Sequence, residues 1–224
     1  VIELDGVSHR FGSRVVLRDL DLRLAEQRIG VVGANGSGKS TFARLLNGLV
    51  IPTEGRVTVD GLSTRTNGRE VRKKVGFVFT DPDAQVVMPT VAEDVAFGLR
   101  RTGLSKPEIA DRVASVLERF GLHDHADHPA HLLSGGQKQL LALAGVMVTE
   151  PETLVCDEPT TLLDLRNARL VMGMLAALPQ QVVLVTHHLD LLDGYERVLV
   201  FHEGRLAFDG PPAKAIAAYE DLLA

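Results

Sequence analysis

Cysteine is nearly absent: Cys156 is the only one in 224 residues, so no internal disulfide can form and a reducing compartment is expected. Long apolar runs are missing too. The longest, Leu140 to Val148, falls far short of the roughly 20 residues a membrane-spanning helix needs, so any role at a membrane has to come through a partner. There is no long basic tract, and the formal net charge is −5, which argues against nucleic acid as the main ligand. No signal-peptide pattern, internal repeat or low-complexity segment stands out. The first residue is Val rather than Met. What remains is a chain long enough for one sizeable α/β domain with a small appended subdomain.

Hydrophobic periodicity divides that chain. Ile2 to Ser8 and Val15 to Leu24 alternate apolar and polar residues, as half-buried antiparallel strands do, and Arg56 to Asp60 continues the pattern. Val75 to Phe79 reads as a short buried strand. The character then becomes helical: Val91 to Arg101, then a helix opened by the capping box Ser105-Lys106-Pro107-Glu108, with Ile109, Val113, Val116, Leu117 and Phe120 on its apolar face. A third helix is expected over Gly136 to Val148. Strand and helix then alternate: Thr153 to Cys156, Asp164 to Ala177, Val182 to Val185. A hairpin, Arg197 to His202 and Arg205 to Asp209, and a helix, Pro211 to Leu223, follow. The expected architecture is an α/β core, residues 1–81 and 149–224, with an antiparallel β-subdomain and an inserted α-helical subdomain over 82–148.

Against that background one segment carries chemistry most directly. Gly33-Ala34-Asn35-Gly36-Ser37-Gly38-Lys39-Ser40 follows the apolar run Arg28 to Val32 and precedes the helical pattern beginning at Thr41. This is a P-loop in the strand–loop–helix context it requires. Its glycines let backbone N–H groups turn inward around phosphate oxygens, and the helix N-terminus adds positive partial charge. Lys39 can reach the β- and γ-phosphates, and the Ser40 hydroxyl can ligate Mg²⁺. A nucleoside triphosphate is the implied ligand. Leu154-Val155-Cys156-Asp157-Glu158 is an apolar strand ending in two carboxylates. Downstream of a P-loop, Asp157 is placed as a Walker B metal ligand and Glu158 as the group that polarises attacking water. The plainer alternative for each string is a glycine-rich turn and an acidic turn.

Leu133-Ser134-Gly135-Gly136-Gln137 stands just before the third inserted helix, where a hydroxyl and glycine N–H groups at a helix start make an anion site; a helix N-cap with flexible glycines is the plainer alternative. The ordered set of P-loop, this pentapeptide, Walker B strand, Thr161-Leu162-Leu163-Asp164 and Thr186-His187 resembles the ABC ATPase family over essentially the whole chain. That resemblance implies a RecA-like P-loop NTPase core, ATP and Mg²⁺ as ligands, and two ATP molecules sandwiched between two chains. Ser134, Gly135, Gly136 and Gln137 of one chain would complete the nucleotide site of the other. It also implies that His187 holds the γ-phosphate and attacking water, and that Phe11 stacks on adenine; the alternative for Phe11 is an ordinary core position. The strings Asp81-Pro82-Asp83-Ala84-Gln85 and Pro89 to Gly98 are similar to the energy-coupling factor (ECF) branch. In that branch the ATPases, at the cytoplasmic face of the membrane, grip a transmembrane coupling protein, while a separate membrane protein captures the solute; for this chain a homodimer is expected, with a heterodimer as the alternative. Within the branch the biotin-transport members are the most similar; cobalt, nickel and other vitamins are the alternative cargoes, and a soluble non-transport ABC ATPase is the alternative class.

The departures matter as much. Thr80 occupies the position where the family carries a Gln beside the metal and the water, and Gln85 is a candidate replacement. Leu140 stands where an Arg often follows the signature, Thr161 and Leu162 replace the usual Ser-Ala, and His188 stands where an acidic or amide residue is commoner. His123, His125, His128 and His131 crowd the approach to the signature; a solvated loop or a metal site are the alternatives. Arg69, Arg72, Lys73 and Lys74 read as a solvated helix face, with phosphate contact as the other possibility.

Overall fold

A computed structural model describes residues 1–100 and 102–223. Contacts divide them into two compact units. The first comprises Val1–Phe77, Glu152–Glu158 and Pro179–Ala224; the second comprises Val78–Pro151 and Pro159–Leu178. The segment Pro159–Leu178, read from the sequence as part of the core, thus clusters with the helices.

In the first unit β1 (Ile2–Phe11) and β2 (Arg14–Leu24) form an antiparallel hairpin, followed by β3 (Arg28–Gly33) and α1 (Lys39–Leu46). Then come β4 (Glu54–Val59), the two-residue β5 (Leu62–Ser63), α2 (Gly68–Lys74) and β6 (Val75–Val78). The second unit carries α3 (Val91–Phe97), α4 (Lys106–Arg119) and α5 (Gly135–Met147). The chain returns to the first unit for β7 (Thr153–Asp157), leaves it for α6 (Leu165–Ala176), and finishes with β8 (Gln181–Val185), β9 (Arg197–His202), β10 (Arg205–Gly210) and α7 (Pro212–Leu223).

Two sheets result, a four-stranded one in the order β2-β1-β4-β5 and a six-stranded one in the order β10-β9-β3-β8-β7-β6. The first alternates buried and exposed positions along β1 and β2, which is what a sheet with one wet face requires. The centre of the second is parallel, β3 pairing with β8 and β9 and β7 with β8. Its strands are apolar without alternation: Thr153 to Asp157 and Val182 to Val185 are buried throughout. Each buried Val or Leu there contributes about 1.5–3 kcal/mol. Parallel strands connected by crossovers bring their carboxyl ends to one edge, where α/β sheets bind ligands. Here β3 ends in the P-loop, β7 in Asp157 and Glu158, and β8 in Thr186 and His187.

The helices of the second unit start where their sequence signals stand. Thr90, Ser105 and Ser134 each cap a helix in a reciprocal box, with Glu93, Glu108 and Gln137 as the returning side chains. On α4, Val113, Leu117 and the following Phe120 are buried, whereas Ile109 and Val116 are half-buried. The helix expected over Val91 to Arg101 stops at Phe97. Gly98 follows it, and a side chain there would stand 3.1 Å from the Gly145 carbonyl and 3.2 Å from Val148, so glycine permits the close approach of α5. Arg101 lies outside the described residues. No helix among the described residues is long and apolar enough to cross a membrane.

Candidate nucleotide site

The P-loop is shaped by glycines that nothing else could replace. Gly33 has φ 149°, and a Cβ there would collide with the Phe201 carbonyl. Gly38 has φ 105° and would place a Cβ 2.6 Å from Leu17 and 2.9 Å from the Val16 carbonyl. Gly38 is also the N-cap of α1, and no side chain caps that helix. Its first N–H groups and positive dipole end are therefore left for a ligand. Lys39 is buried and its Nζ donates to the carbonyls of Gly33 at 2.7 Å and Ala34 at 3.0 Å. Burial lowers its ammonium pKa, opposed by the carboxylates of Glu158 and Asp157. The cation thus lies inside the loop, compensated by carbonyl dipoles until a stronger anion arrives. Ser37 is buried with its hydroxyl unpartnered.

Ser40 Oγ donates to Asp157 Oδ1 at 3.0 Å, and Arg44 Nη2 lies 4.0 Å from Asp157 Oδ2. Burial pushes the Asp157 carboxyl above its usual range, against the pull of the Ser40 hydrogen bond and the Arg44 charge. A buried carboxylate with a hydroxyl beside it is a pair of hard oxygen donors, the ligand type that Mg²⁺ takes. Glu158 follows with φ 50°, a left-handed conformation that costs a non-glycine residue of order 1–3 kcal/mol. Its N–H is fixed by the Val185 carbonyl at 2.9 Å, and its Oε2 lies 3.1 Å from His187 Nδ1. The two strand ends thus bring the carboxylate and the imidazole predicted from separate motifs into contact. His188 stacks against His187 with ring centroids 4.1 Å apart.

A cleft of about 280 Å³ is lined by Phe11, Arg14, Val16, Asn35, Gly36, Gly38, Lys39, Ser40, Thr41 and Glu158. Phe11 is 55% exposed, so the alternative of an ordinary core aromatic does not hold. Two residues of this neighbourhood carried no sequence signal: Arg44, one helical turn beyond Ser40, and His9. The His9 ring is buried and meets Phe11 edge-to-face at 4.6 Å.

In the second unit Ser134 Oγ accepts from Gln137 N at 3.3 Å, and Gln137 Oε1 accepts from Ser134 N at 2.9 Å. Gly135 is open, with nothing within 4 Å of a Cβ built on it, whereas a Cβ on Gly136 would run into the Asn167 side chain. Asn167 is held by Asp164, the N-cap of α6, whose Oδ1 accepts from Asn167 N at 2.8 Å. Leu140 is buried, as its place on the inner face of α5 requires, and Leu162 is 63% exposed. Gln85 is held in local structure: its Oε1 accepts from Phe79 N and its Nε2 donates to the Ala142 carbonyl, both at 3.1 Å. Its amide is therefore occupied and does not stand in for the missing Gln at Thr80. Among the described residues no group of three or more His, Cys, Asp or Glu is placed to hold a metal ion.

Fold and loop geometry together define a P-loop NTPase. The sequence profile of the ABC transporter family matches residues 17–161. A protein of Deinococcus radiodurans named as an ABC transporter ATP-binding protein is 58% identical over 99% of this chain and 98% of its own length. The biotin transport ATP-binding protein BioM of Rhizobium etli is 52% identical over 100% and 99%. Among solved structures, cbiO1 of Clostridium perfringens, part of the ABC transporter complex cbiONQ, aligns with a TM-score of 0.86 and 31% identity over 100% of this chain and 93% of its own. A dimeric ATP-binding cassette, MJ0796, in a post-hydrolysis state with ADP and Pi bound, aligns with a TM-score of 0.82 and 28% identity over 95% and 99%. The chain belongs to the ABC transporter ATPase family: it binds ATP and is an ATPase whose turnover is coupled to transport.

Proposed function

We propose that this ATPase is the motor of an ECF-type importer for biotin. It works as a homodimer with two ATP molecules between the chains, peripheral to the cytoplasmic face of the membrane. One chain supplies Phe11 as an adenine platform, Gly33, Asn35, Gly36, Ser37, Gly38, Lys39 and Thr41 around the phosphates, and Ser40 and Asp157 as the groups that would hold Mg²⁺. When bound, that ion supplies positive charge to the β- and γ-phosphate oxygens. The other chain supplies Ser134, Gly135, Gly136 and Gln137. A transmembrane coupling protein and a solute-capturing membrane protein complete the assembly.

The observation that carries the reading is the Glu158–His187 contact at 3.1 Å beside the uncapped start of α1. A carboxylate so placed can take a proton from water as it attacks the γ-phosphate, and the imidazole steadies that carboxylate and the water. The leaving ADP needs no proton from the protein. Biotin as cargo rests on similarity to the relative named above, 52% identical across its length. The test is isolation of the chain with its membrane partners. Biotin uptake by cells carrying the assembly should depend on ATP and vanish with Glu158→Gln. Robust uptake with that variant, or co-purification without any membrane protein, would overturn the proposal.

A further inference from the structure

The histidine-rich loop before the signature is not a passive linker. His125 and Gln137 are both half-buried, and Gln137 Nε2 lies 3.0 Å from His125 Nε2. His125 Nδ1 lies 2.8 Å from His128 Nδ1. The proton positions in this chain of contacts follow from the donors at its end. The Ser134 backbone N–H can only donate, and it faces Gln137 Oε1. The amide nitrogen of Gln137 must then face His125, and an NH₂ group can only donate. His125 Nε2 is therefore a lone pair and its Nδ1 carries the proton, which it donates to His128 Nδ1. His128 in turn carries its own proton on Nε2.

The chain tolerates one protonation state. A proton added to His125 Nε2 sets an N–H against the amide NH₂. A proton added to His128 Nδ1 forces His125 to reverse its tautomer, with the same result. Rotating the Gln137 amide to accept from His125 turns its NH₂ toward the Ser134 N–H, which breaks the box that starts α5. We propose that His125 is a positioning residue for the ATP-sandwich reaction: through the Gln137 amide it holds the signature Ser134 in the geometry that meets the partner chain's nucleotide. This rests on the reading of Ser134 as part of the composite site and adds a regulator to it, because the neutral loop supports that site and the protonated loop does not.

The charged groups on the helices around the loop have partners of their own. Lys138 on α5 is taken by Asp83 at 2.7 Å, and Glu118 on α4 lies 3.8 Å from His123. On α3, Glu93 closes the Thr90 cap, and Asp94 accepts from the N–H groups of Val87 and Met88. Arg119 at the end of α4 stacks over Phe120 at 5.9 Å. Asp124, Asp127 and His131 lie on the loop itself and are exposed. Among the described residues the ring nitrogens of His125 meet only Gln137 and His128. The backbone of the loop is fixed as well, since the carbonyls of Ala126 and His128 accept from Ala92 N at 2.9 Å and Val91 N at 3.2 Å.

The test measures the ATP concentration that drives dimer formation in the chain carrying Glu158→Gln, from about pH 8 to about pH 5.5, the range in which imidazoles take up a proton. His125→Ala should raise that concentration about five- to tenfold over the parent at pH 8, the effect of losing one hydrogen bond, and should show no acid loss of its own. The parent should approach the Ala variant on acidification. His125→Gln, whose amide oxygen can stand where Nε2 stood and does not titrate, should dimerise like the parent at pH 8 and remove the acid loss. ATP affinity of the monomer, set by the P-loop, should be the same in all three and reports that each is folded. A parent-like titration of His125→Ala, or an acid loss that survives in His125→Gln, overturns the inference. Ser134→Arg separates this from the underlying reading: if that variant still dimerises with ATP, the composite site itself is wrong; if it does not while His125→Ala is silent, only the role of His125 fails.

Discussion

Two helix N-termini carry the phosphate chemistry proposed for this chain, and they are prepared in opposite ways. At α1 the N-cap is a left-handed glycine, no side chain closes the helix, and a buried lysine lies in the loop. At α5 the N-cap is Ser134, closed reciprocally by Gln137, with no acidic residue in the first turn and no basic residue in the last. The first end is left unsatisfied within its own chain. The second is satisfied internally, but its serine retains an unused donor, because a hydroxyl that accepts from a backbone N–H still has its proton to give. A site that binds ATP alone profits from the first arrangement. A site that must engage only when a second chain presents a nucleotide profits from the second, since a helix start closed by its own cap, with its one lysine paired to Asp83, has little attraction for free anions.

The sharpest way to break that comparison is to attack each end separately. Lys39→Ala removes the cation from the open end and should abolish ATP binding by the monomer. Ser134→Arg should leave monomer binding intact yet abolish dimerisation and turnover. Equimolar mixing of the two should restore part of the ATPase activity, because heterodimers contain one undamaged composite site; gel filtration alongside the assay checks that heterodimers form. Loss of monomer ATP binding in Ser134→Arg would erase the distinction between the ends. Next in size, Glu158→Gln should retain ATP binding and lose ~10²–10⁴-fold in kcat, the usual contribution of a general base. Trapping of an ATP-bound dimer by this variant gives a second readout that does not depend on residual activity.

The open end was legible in the sequence and the closed end only half so. Gly33 to Ser40 dictates its own geometry, since positive φ at Gly36 and Gly38 and a crowded Gly33 are properties of local backbone. The Ser105-Glu108 box was read from sequence for the same reason, and the strand ends Asp157 and His187 followed from the apolar runs before them. By contrast, a plain N-cap at Ser134 stands in the sequence only as the alternative to the signature, and the returning bond from Gln137 is not apparent there. The links that matter around it, Gln137 to His125 and Gly136 to Asn167, span 12 and 31 residues and leave no periodic trace. Nor did Gln85 reveal that its amide is consumed by Phe79 and Ala142. Contacts made by loops depend on where the chain returns, and hydrophobic patterning does not encode that.

Smaller substitutions sharpen what closes the second end. Gly136→Ala puts a methyl into the Asn167 amide and should destabilise the protein by about 1–3 kcal/mol, the usual effect of overpacking a tight contact. Thermal or urea unfolding measures it, and pairing with Asn167→Ala should recover most of the loss. Ser134→Ala deletes one cap and should cost about 1 kcal/mol. No equivalent loss is expected at Gly38, where no side-chain cap exists to delete. Equal stability of Ser134→Ala and the parent would mean that the box at α5 is not holding the helix start.

The smallest effect concerns Thr80. The family's Gln at this place reaches the metal and the attacking water, and a threonine hydroxyl is about two bonds shorter. Gln85 does not fill the gap, since both ends of its amide are occupied. The other groups proposed for the reaction are nonetheless brought together: Glu158 and His187 in contact, Ser40 bonded to Asp157, Lys39 in the loop. A water bridging from a short hydroxyl costs roughly 0–2 kcal/mol. Restoring the long side chain in Thr80→Gln should therefore change kcat by about tenfold or less, equivalent to ~1.4 kcal/mol. ATP affinity should not move, because the open end of α1 sets it. Basal and partner-stimulated ATPase rates of the two versions check this, and they also locate the effect. A change confined to the stimulated rate places Thr80 in coupling to the membrane partner; a change in both places it in the hydrolytic step. A hundredfold gain would mean that Thr80, rather than the state of the two helix ends, limits the natural enzyme.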